Sequence, residues 1–412
     1  MQLAQIDVNG LFGRLSHSIV FPTRPDEGAD TGPPSVTILH GPNGVGKTTV
    51  LRMLDGIMRL DFDVFRKVPF SDAALHFSTG QTLSVRSTSV EGEQPIAVGF
   101  DDHEALLHPD RSGSFRDKDN APVEAFREHF FSITDGVKLD FIETSRIFPK
   151  AEEQEVRWVQ TDEGPQPVRP RGHRDLAQRV AKFIREAQVD SRGFFAGREP
   201  ELFDRIMRRI TEPNKFEYDP DEIVAALTKV NKQNELAARL GLTVEPLDLD
   251  QLRGYLDGLP QDSTVAAQSL PVVGAYAEML QARAAQQALL SQRLVQFEEI
   301  MQSFYKDKSV SIDGRRGLLI RTRDGTILNE KQLSSGEEHL LYLMVSALTT
   351  RRRGTVIAID EPELSMHIAW QRMLLRELIR CASNASPQLV LATHSPEVVA
   401  DFQDHLVPMT LS

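Results

Sequence analysis

The chain has 412 residues, 40% hydrophobic and 26% charged, with 47 Lys and Arg against 59 Asp and Glu for a net charge of -12. That length predicts about two or three domains with a substantial core, and the acidic balance argues against a surface that coats nucleic acid, which Lys and Arg would have to build. The single cysteine, Cys381, excludes an intrachain disulfide, the opening MQLAQIDVNG lacks a charged-then-apolar leader pattern and no apolar run approaches a membrane span, so a soluble cytoplasmic protein without a membrane partner is expected.

In chain order, residues 1–21 alternate through Leu3, Ile6, Val8, Leu15, Ile19 and Phe21, which predicts a hairpin around Asn9-Gly10 and Gly13. Residues 22–34, rich in Pro, Gly and Asp, read as an exposed loop. SVTILH (35–40) is a short buried strand that runs into GPNGVGKTT (41–49) and then the helix VLRMLDGIM. The strand patterns DAALHFSTGQTLSVRST and PIAVGF, with turns at Thr79-Gly80 and near Gly92, predict an antiparallel β layer. Residues 101–122 read as a polar, mobile stretch, VKLDFIETSRIF (137–148) as a strand leading into a turn, and the charged, Pro-rich 150–172 as a linker or flexible loop.

From 173 to about 305 the period turns helical. LAQRVAKFIREA places Leu176, Val180, Phe183, Ile184 and Ala187 on one face, and ELFDRIMRRI does the same with Leu202, Phe203, Ile206, Met207 and Ile210. A last helix, roughly 273–305, carries Leu290, Leu294, Phe297, Met301 and Phe304 at coiled-coil spacing, but traced backwards that register lands on Gln287 and Arg283. The seam is too short for a coiled coil and reads as a helix packed in a small bundle. The basic cluster Arg205, Arg208 and Arg209 reads as a solvated helix face rather than a DNA site. Strands return at SVSID and GLLIRT, then at VIAID (356–360) and QLVLAT (388–393), separated by the helix MHIAWQRMLLRELIRCA.

Four short segments carry chemistry. GPNGVGKT fits G-x-x-x-x-G-K-[ST]: Gly41, Gly44 and Gly46 let the backbone curl so that N–H groups face a phosphate chain. Lys47 supplies positive charge there, Thr48 a hydroxyl for Mg2+, and Asn43 and Thr49 complete the nucleotide-binding set. A Gly-rich turn with a chance Lys would lack the strand before it and the helix after it. LSSGE, with Ser334, Ser335, Gly336 and Glu337, is a second helix start built to hold an anion. TVIAIDEPE delivers Asp360 on an apolar strand toward the metal, and Glu361 follows as a carboxylate able to take a proton from an attacking water. The alternative is an acidic turn capping the next helix, with Glu363 as a first-turn acid. ATHSPE sets His394 after the next buried strand, where it can sense and orient a terminal phosphate.

GPNGVGKTT, LSSGE, AIDEPE and ATHSP, in that order, resemble the Walker A, signature, Walker B and switch-histidine elements of ABC-type ATPases. The resemblance covers only the first fifth and the last fifth or so of the chain. It implies an α/β fold: an ABC-type P-loop ATPase head built from both chain ends, with an antiparallel β layer and an inserted α-helical lobe. The expected division is an N-terminal head part at 1–150, the lobe at 151–306 and the C-terminal head part at 307–412. It also implies ATP and Mg2+ as ligands, held by Gly41 to Thr49 with Thr48 and Asp360 on the metal, and catalysis by Glu361, His394 and Lys47. Ser334 to Glu337 would close over the nucleotide of a second copy in a head-to-tail homodimer.

The long interval between Lys47 and Ser334, and LSMHIAWQ after AIDEPE, resemble the SMC-like and defence-associated ATPases rather than transporter subunits. IDVNGLFG and FIETSRIF resemble the compact ATPases of anti-phage systems such as Septu and PARIS, except that Ser145 stands where a Q-loop Gln precedes the Arg, here Arg146. Either Glu143 or a water then takes that role, or the coupling role has moved elsewhere. The chain stops soon after His394, leaving no room for the Toprim nuclease of the related overcoming-lysogenisation-defect proteins. The resemblance therefore implies an ATPase that acts as sensor and scaffold for a separate nuclease or toxin effector. The alternative is an SMC or recombination-type DNA-maintenance ATPase that clamps DNA, which the acidic balance and short lobe disfavour.

Overall fold

The computed structural model describes residues 1–24, 33–88, 95–108, 121–134, 137–143, 157–161, 164–168, 175–196, 204, 207–208, 211, 219–243, 248–258, 264–351, 354–383 and 385–411. Contacts divide the chain into two compact units, one of Met1–His173 with Leu333–Ser412 and one of Arg174–Gln332.

The first unit begins with a hairpin of β1 (Leu3–Leu11) and β2 (Leu15–Val20). Ile6 and Val8 of β1 and Leu15, His17 and Ile19 of β2 are buried at the period of two that a half-buried strand requires, while the register shifts between Leu3, also buried, and Gln5. Next come β3 (Ser35–His40), α1 (Lys47–Arg59) and α2 (Asp63–Lys67). The β layer continues as β4 (Asp72–Phe77), β5 (Thr82–Ser87), β6 (Ile96–Phe100) and β7 (His103–Leu107). These strands form one six-stranded antiparallel sheet in the order β2-β1-β4-β5-β6-β7. Helix α3 (Ala121–Thr134) packs on it through Phe130, whose ring centroid lies 5.1 Å from that of Phe100. β8 (Leu139–Ile142), β9 (Arg157–Thr161) and β10 (Gly164–Val168) follow.

Two stretches differ from the sequence expectation. Part of the polar 101–122 pairs as β7, where Ala105 and Leu107 bury one face and His103, Glu104 and Leu106 are exposed. Part of the expected linker at 150–172 closes as the antiparallel hairpin β9–β10, with Thr161 paired to Gly164. Backbone pairing there does not depend on apolar side chains, so composition gives no sign of it.

The second unit holds α4 (Leu176–Ala196), α5 (Pro220–Arg239), α6 (Leu249–Asp257) and α7 (Thr264–Phe304). Leu176, Val180, Phe183 and Ile184 are buried as the helical period predicts. Asp219 caps α5 and Pro220 fills its first turn, where a missing N–H costs nothing. Helix α7 runs 41 residues with Pro271 inside it, so it starts earlier than the expected 273. Its seam at Leu294, Phe297, Met301 and Phe304 is buried, as a packed helix requires. Met207, expected on an apolar face, is 41% exposed, and Leu202, Phe203, Arg205, Ile206, Arg209 and Ile210 lie outside the described residues. A three-stranded sheet of β11 (Lys308–Asp313), β12 (Gly317–Thr322) and β13 (Ile327–Leu328) belongs to this unit, whereas the sequence places the return to the head at 307. The cause is close backbone packing: a Cβ on Gly317 would fall 1.7 Å from the Ala177 carbonyl of α4.

The chain re-enters the first unit with α8 (Ser335–Thr349), β14 (Val356–Asp360), α9 (Ile368–Ala382), β15 (Gln388–Thr393), α10 (Pro396–Val399) and β16 (Leu406–Pro408). A parallel five-stranded sheet forms in the order β16-β3-β15-β14-β8. Every residue of β14 and β15 is buried, as expected of strands covered on both faces. Gln388 ties the two sheets together, accepting from Leu3 N at 2.8 Å and donating to Leu3 O at 2.9 Å.

Candidate functional site: the carboxyl edge of the parallel sheet

In open α/β sheets the crevice beyond the carboxyl ends of the strands receives ligands. Here β3, β15 and β14 are neighbours, and each ends in one of the motifs: Gly41 to Thr48 after β3, His394 after β15, and Asp360-Glu361 at the end of β14.

The loop after β3 owes its course to glycine at Gly44 and Gly46, which take φ of 86° and 96°. Gly46 caps α1, and a Cβ there would fall 2.6 Å from Leu11 of the β layer. Gly41 is needed for another reason: its Cβ would sit 2.3 Å from the Met409 carbonyl. The residues after β16 pack that closely because Met409 N donates to His40 O at 2.8 Å. Asn43 and Gly44 are exposed, and Thr49 is half-buried on the first turn of α1. Lys47 is buried, and its Nζ donates to the carbonyls of Gly41 at 2.8 Å and Pro42 at 3.2 Å.

Thr48 Oγ1 donates to Asp360 Oδ1 at 3.0 Å, joining the first motif to the third. Asp360 is buried, which pushes its carboxyl above the usual range; the Thr48 hydrogen bond opposes this and the nearby Glu143 carboxylate adds to it. A hydroxyl and a desolvated carboxylate are hard oxygen donors of the kind that Mg2+ takes beside phosphate. The residues present therefore fit such a cation. Glu143, at the end of β8, is buried and accepts from Arg52 Nε of α1 at 2.8 Å. Ser145 and Arg146, the expected Q-loop turn, lie outside the described residues.

Glu361 stands at φ 52°, a conformation sparsely used by non-glycine residues and met often at functional sites. Its N–H donates to Ala392 O at 2.8 Å, which fixes it beside the end of β15. His394 Nδ1 lies 2.5 Å from Glu361 Oε2. Burial, then the adjacent Glu363 carboxylate, push Glu361 up to about 7, with His394 pulling the other way. Glu363 is no helix-capping acid, since α9 begins only at Ile368. Its Oε1 accepts from Thr393 Oγ1 at 2.6 Å, Ser395 N at 3.2 Å and His394 N at 3.3 Å. Glu363 thus holds the backbone that carries His394. Its carboxylate, the Glu361 carboxylate and the His394 ring all lie within 4.8 Å of one another.

Ser334 and Ser335 are exposed and Gly336 is buried. Ser334 caps α8 in a reciprocal box with Glu337: Glu337 N donates to Ser334 Oγ at 3.4 Å and Ser334 N donates to Glu337 Oε2 at 2.8 Å. A Cβ on Gly336 would lie 2.4 Å from the Ser365 carbonyl. One turn on, the fully buried His339 has Nδ1 3.1 Å from Leu364 O, and burial holds its ring below the usual imidazole range, hence neutral near pH 7. Helix α8 is thereby fastened to the segment 364–366 that follows Asp360 and Glu361. Of the residues that fix this site, the sequence reading does not single out Leu11, His17, Arg52 or His339, and it offers Glu363 only as a helix-capping acid. The one local signal is polarity at a core register: His17 alternates with Leu15 and Ile19, and His339 sits in the apolar run of α8.

Sheet order, phosphate loop and strand-end acids define an ABC-type P-loop ATPase fold, with a head assembled from both chain ends. A profile of the family described as "AAA domain, putative AbiEii toxin, Type IV TA system" matches residues 36–400, and the chain belongs to that family. No curated protein matches it. Among solved structures it is similar to the Smc head domain with an extended coiled coil bound to the C-terminal domain of ScpA from Pyrococcus furiosus, at 11% identity and TM-score 0.43, covering 99% of this chain and 94% of that one. It is also similar to the Smc head domain with a coiled coil and joint from Pyrococcus yayanosii (14%, TM-score 0.39, covering 97% and 93%). A third is the SMC head domain from Thermotoga maritima (12%, TM-score 0.33, covering 97% and 92%).

Proposed function

We propose that the protein is an ATP-hydrolysing head that closes head-to-tail on a second copy, and that this cycle controls a separate nuclease or toxin effector in bacterial anti-phage defence. The observation that carries the reading is the pairing just described. Lys47, Thr48, Asp360, Glu361 and His394 meet at one sheet edge, while the exposed Ser334 turn is anchored to the segment following Glu361. A signature turn so fastened is suited to report a partner's nucleotide to its own acidic pair.

In this reading Gly41 to Thr49 wrap the phosphates, and Lys47 leaves its carbonyl partners to offset their charge. Thr48 and Asp360 would hold Mg2+, which supplies charge neutralisation on the phosphate oxygens when bound. Glu361 accepts a proton from the attacking water, and its carboxyl near 7 suits it to that exchange at neutral pH. His394 orients the terminal phosphate, with Glu363 fixing the backbone of the loop that carries it. The toxin and TA system named in the family's description support an effector that is harmful when released.

Two variants test the cycle. Glu361→Gln should bind ATP, fail to release phosphate and accumulate as a dimer by light scattering; a variant that stays monomeric with saturating ATP counts against the reading. Ser334→Asp keeps an equally good helix cap but sets a negative charge against a partner's triphosphate. It should bind ATP normally as a monomer and not dimerise. Dimerisation of Ser334→Asp at the wild-type ATP concentration would remove the signature from the interface. Co-expression with the neighbouring reading frames tests the effector, since toxicity that ignores Glu361→Gln would separate it from this ATPase.

A further inference from the structure

His17 occupies a core-facing position of β2, between Leu15 and Ile19. A polar side chain there must find a partner, and its Nε2 lies 2.8 Å from the Val45 carbonyl of the phosphate loop. A carbonyl has no proton to give, so Nε2 donates. In a trans peptide the C=O of one residue and the N–H of the next point in opposite directions. Tethering the Val45 carbonyl to the β layer therefore turns the Gly46 N–H to the other side, the side on which the loop has to offer N–H groups to an anion. The residue that carries that N–H is held on its other sides as well: Leu11 occupies the space of a Gly46 Cβ, and the Gly46 carbonyl, in the next peptide, accepts from Val50 N at 2.8 Å.

We infer that His17 is a positioning residue for the triphosphate: from the β layer it aims the Gly46 amide into the phosphate cradle. It touches no substrate and acts through the Val45–Gly46 peptide. This rests on the reading of the loop as an ATP site.

The test uses the full chain with ATP and adenosine as probes. His17→Leu keeps an apolar, core-compatible side chain but removes the donor; His17→Gln restores an N–H donor at a similar reach. His17→Leu should weaken ATP binding about tenfold, with adenosine binding unchanged, and should raise KM with kcat nearly constant, because an aligned amide binds ground and transition states alike. His17→Gln should recover ATP binding to within about threefold. Nitrogen NMR of the wild type should find the His17 ring protonated at Nε2. ATP binding by His17→Leu within twofold of wild type overturns the inference. So does a stably folded His17→Gln that regains nothing, or a ring protonated only at Nδ1, which also decides the matter if His17→Leu fails to fold. Wild-type protein that binds no ATP would instead sink the nucleotide reading itself.

Discussion

His394 Nδ1 stands 2.5 Å from Glu361 Oε2, while Glu363 holds the loop behind it through Thr393 Oγ1. One carboxylate faces the imidazole and the other fixes its backbone, and their mutual repulsion helps to push Glu361 up to about 7. A general base acts when deprotonated. The hydrolysis rate should therefore climb as pH rises through about 7 and level off above it. Glu363→Gln keeps the acceptor oxygen for Thr393, His394 and Ser395 but removes the repelling charge. It should move the rising limb roughly one pH unit toward acid. A limb that stays in place, in a variant that still turns over, would mean that another group sets the profile.

The same carboxyl makes a stability prediction. Glu361 binds its proton more tightly folded than unfolded, where its ordinary value is 4.5. Stability is then lost as pH rises from about 4.5 through about 7, and the full penalty stands above that. Glu361→Gln, uncharged at every pH, should melt higher than wild type at about pH 8, by a few degrees for roughly 1 kcal/mol after allowing for partial exposure. The two curves should converge near pH 4.5. Asp360→Asn should shift in the same direction, because burial raises that carboxyl too. Thermal melts without nucleotide across this range check both, and a lower Tm for Glu361→Gln at alkaline pH would contradict the burial argument.

Gly336 is a packing requirement and not a hinge. The Ser365 carbonyl sits where its Cβ would be, at 2.4 Å, and backbone cannot step aside as a side chain can. Gly336→Ala should cost about 1–3 kcal/mol and push residues 364–366 away from α8. Since that segment follows Glu361, turnover should fall more than ATP affinity does. Equal losses of kcat and affinity would show that the two ends of the segment are not coupled.

The site is legible in the sequence where chemistry lies in contiguous runs. GPNGVGKT, AIDEPE and ATHSPE each carry their strand, turn and reactive group together, and Thr48 and Asp360, both expected near the metal, share a hydrogen bond. The β layer follows from alternation, and the all-buried strands from their uniform apolarity. What the sequence does not disclose is pairing at a distance. The contacts of His17 with Val45, of Arg52 with Glu143 and of Glu363 with Thr393 join residues that the fold alone brings together. Helix α3 is a segment on which the sequence reading makes no assignment, although Phe126 and Phe130, one helical turn apart, are buried there. The hairpin β9–β10 has Pro at two paired positions, which composition reads as a linker.

Arg52 and Glu143 give the last prediction. Glu143 is buried at the end of β8 and Arg52, about half-exposed, reaches it from α1. Removing one member of such a pair leaves a desolvated charge, whereas removing both does not. Arg52→Met should therefore destabilise the protein by about 2–3 kcal/mol, and the loss of the Arg52 cation, which now opposes the Glu143 carboxylate, should raise the Asp360 carboxyl further. Glu143→Gln should cost less, because an amide oxygen still accepts from Arg52. The double variant Arg52→Met/Glu143→Gln should recover more than about 1 kcal/mol relative to the sum of the single losses. Denaturant melts of the four proteins measure that coupling directly. A strictly additive cycle would show that Arg52 is a solvated surface cation and that the charge of Glu143 is balanced from elsewhere in the head.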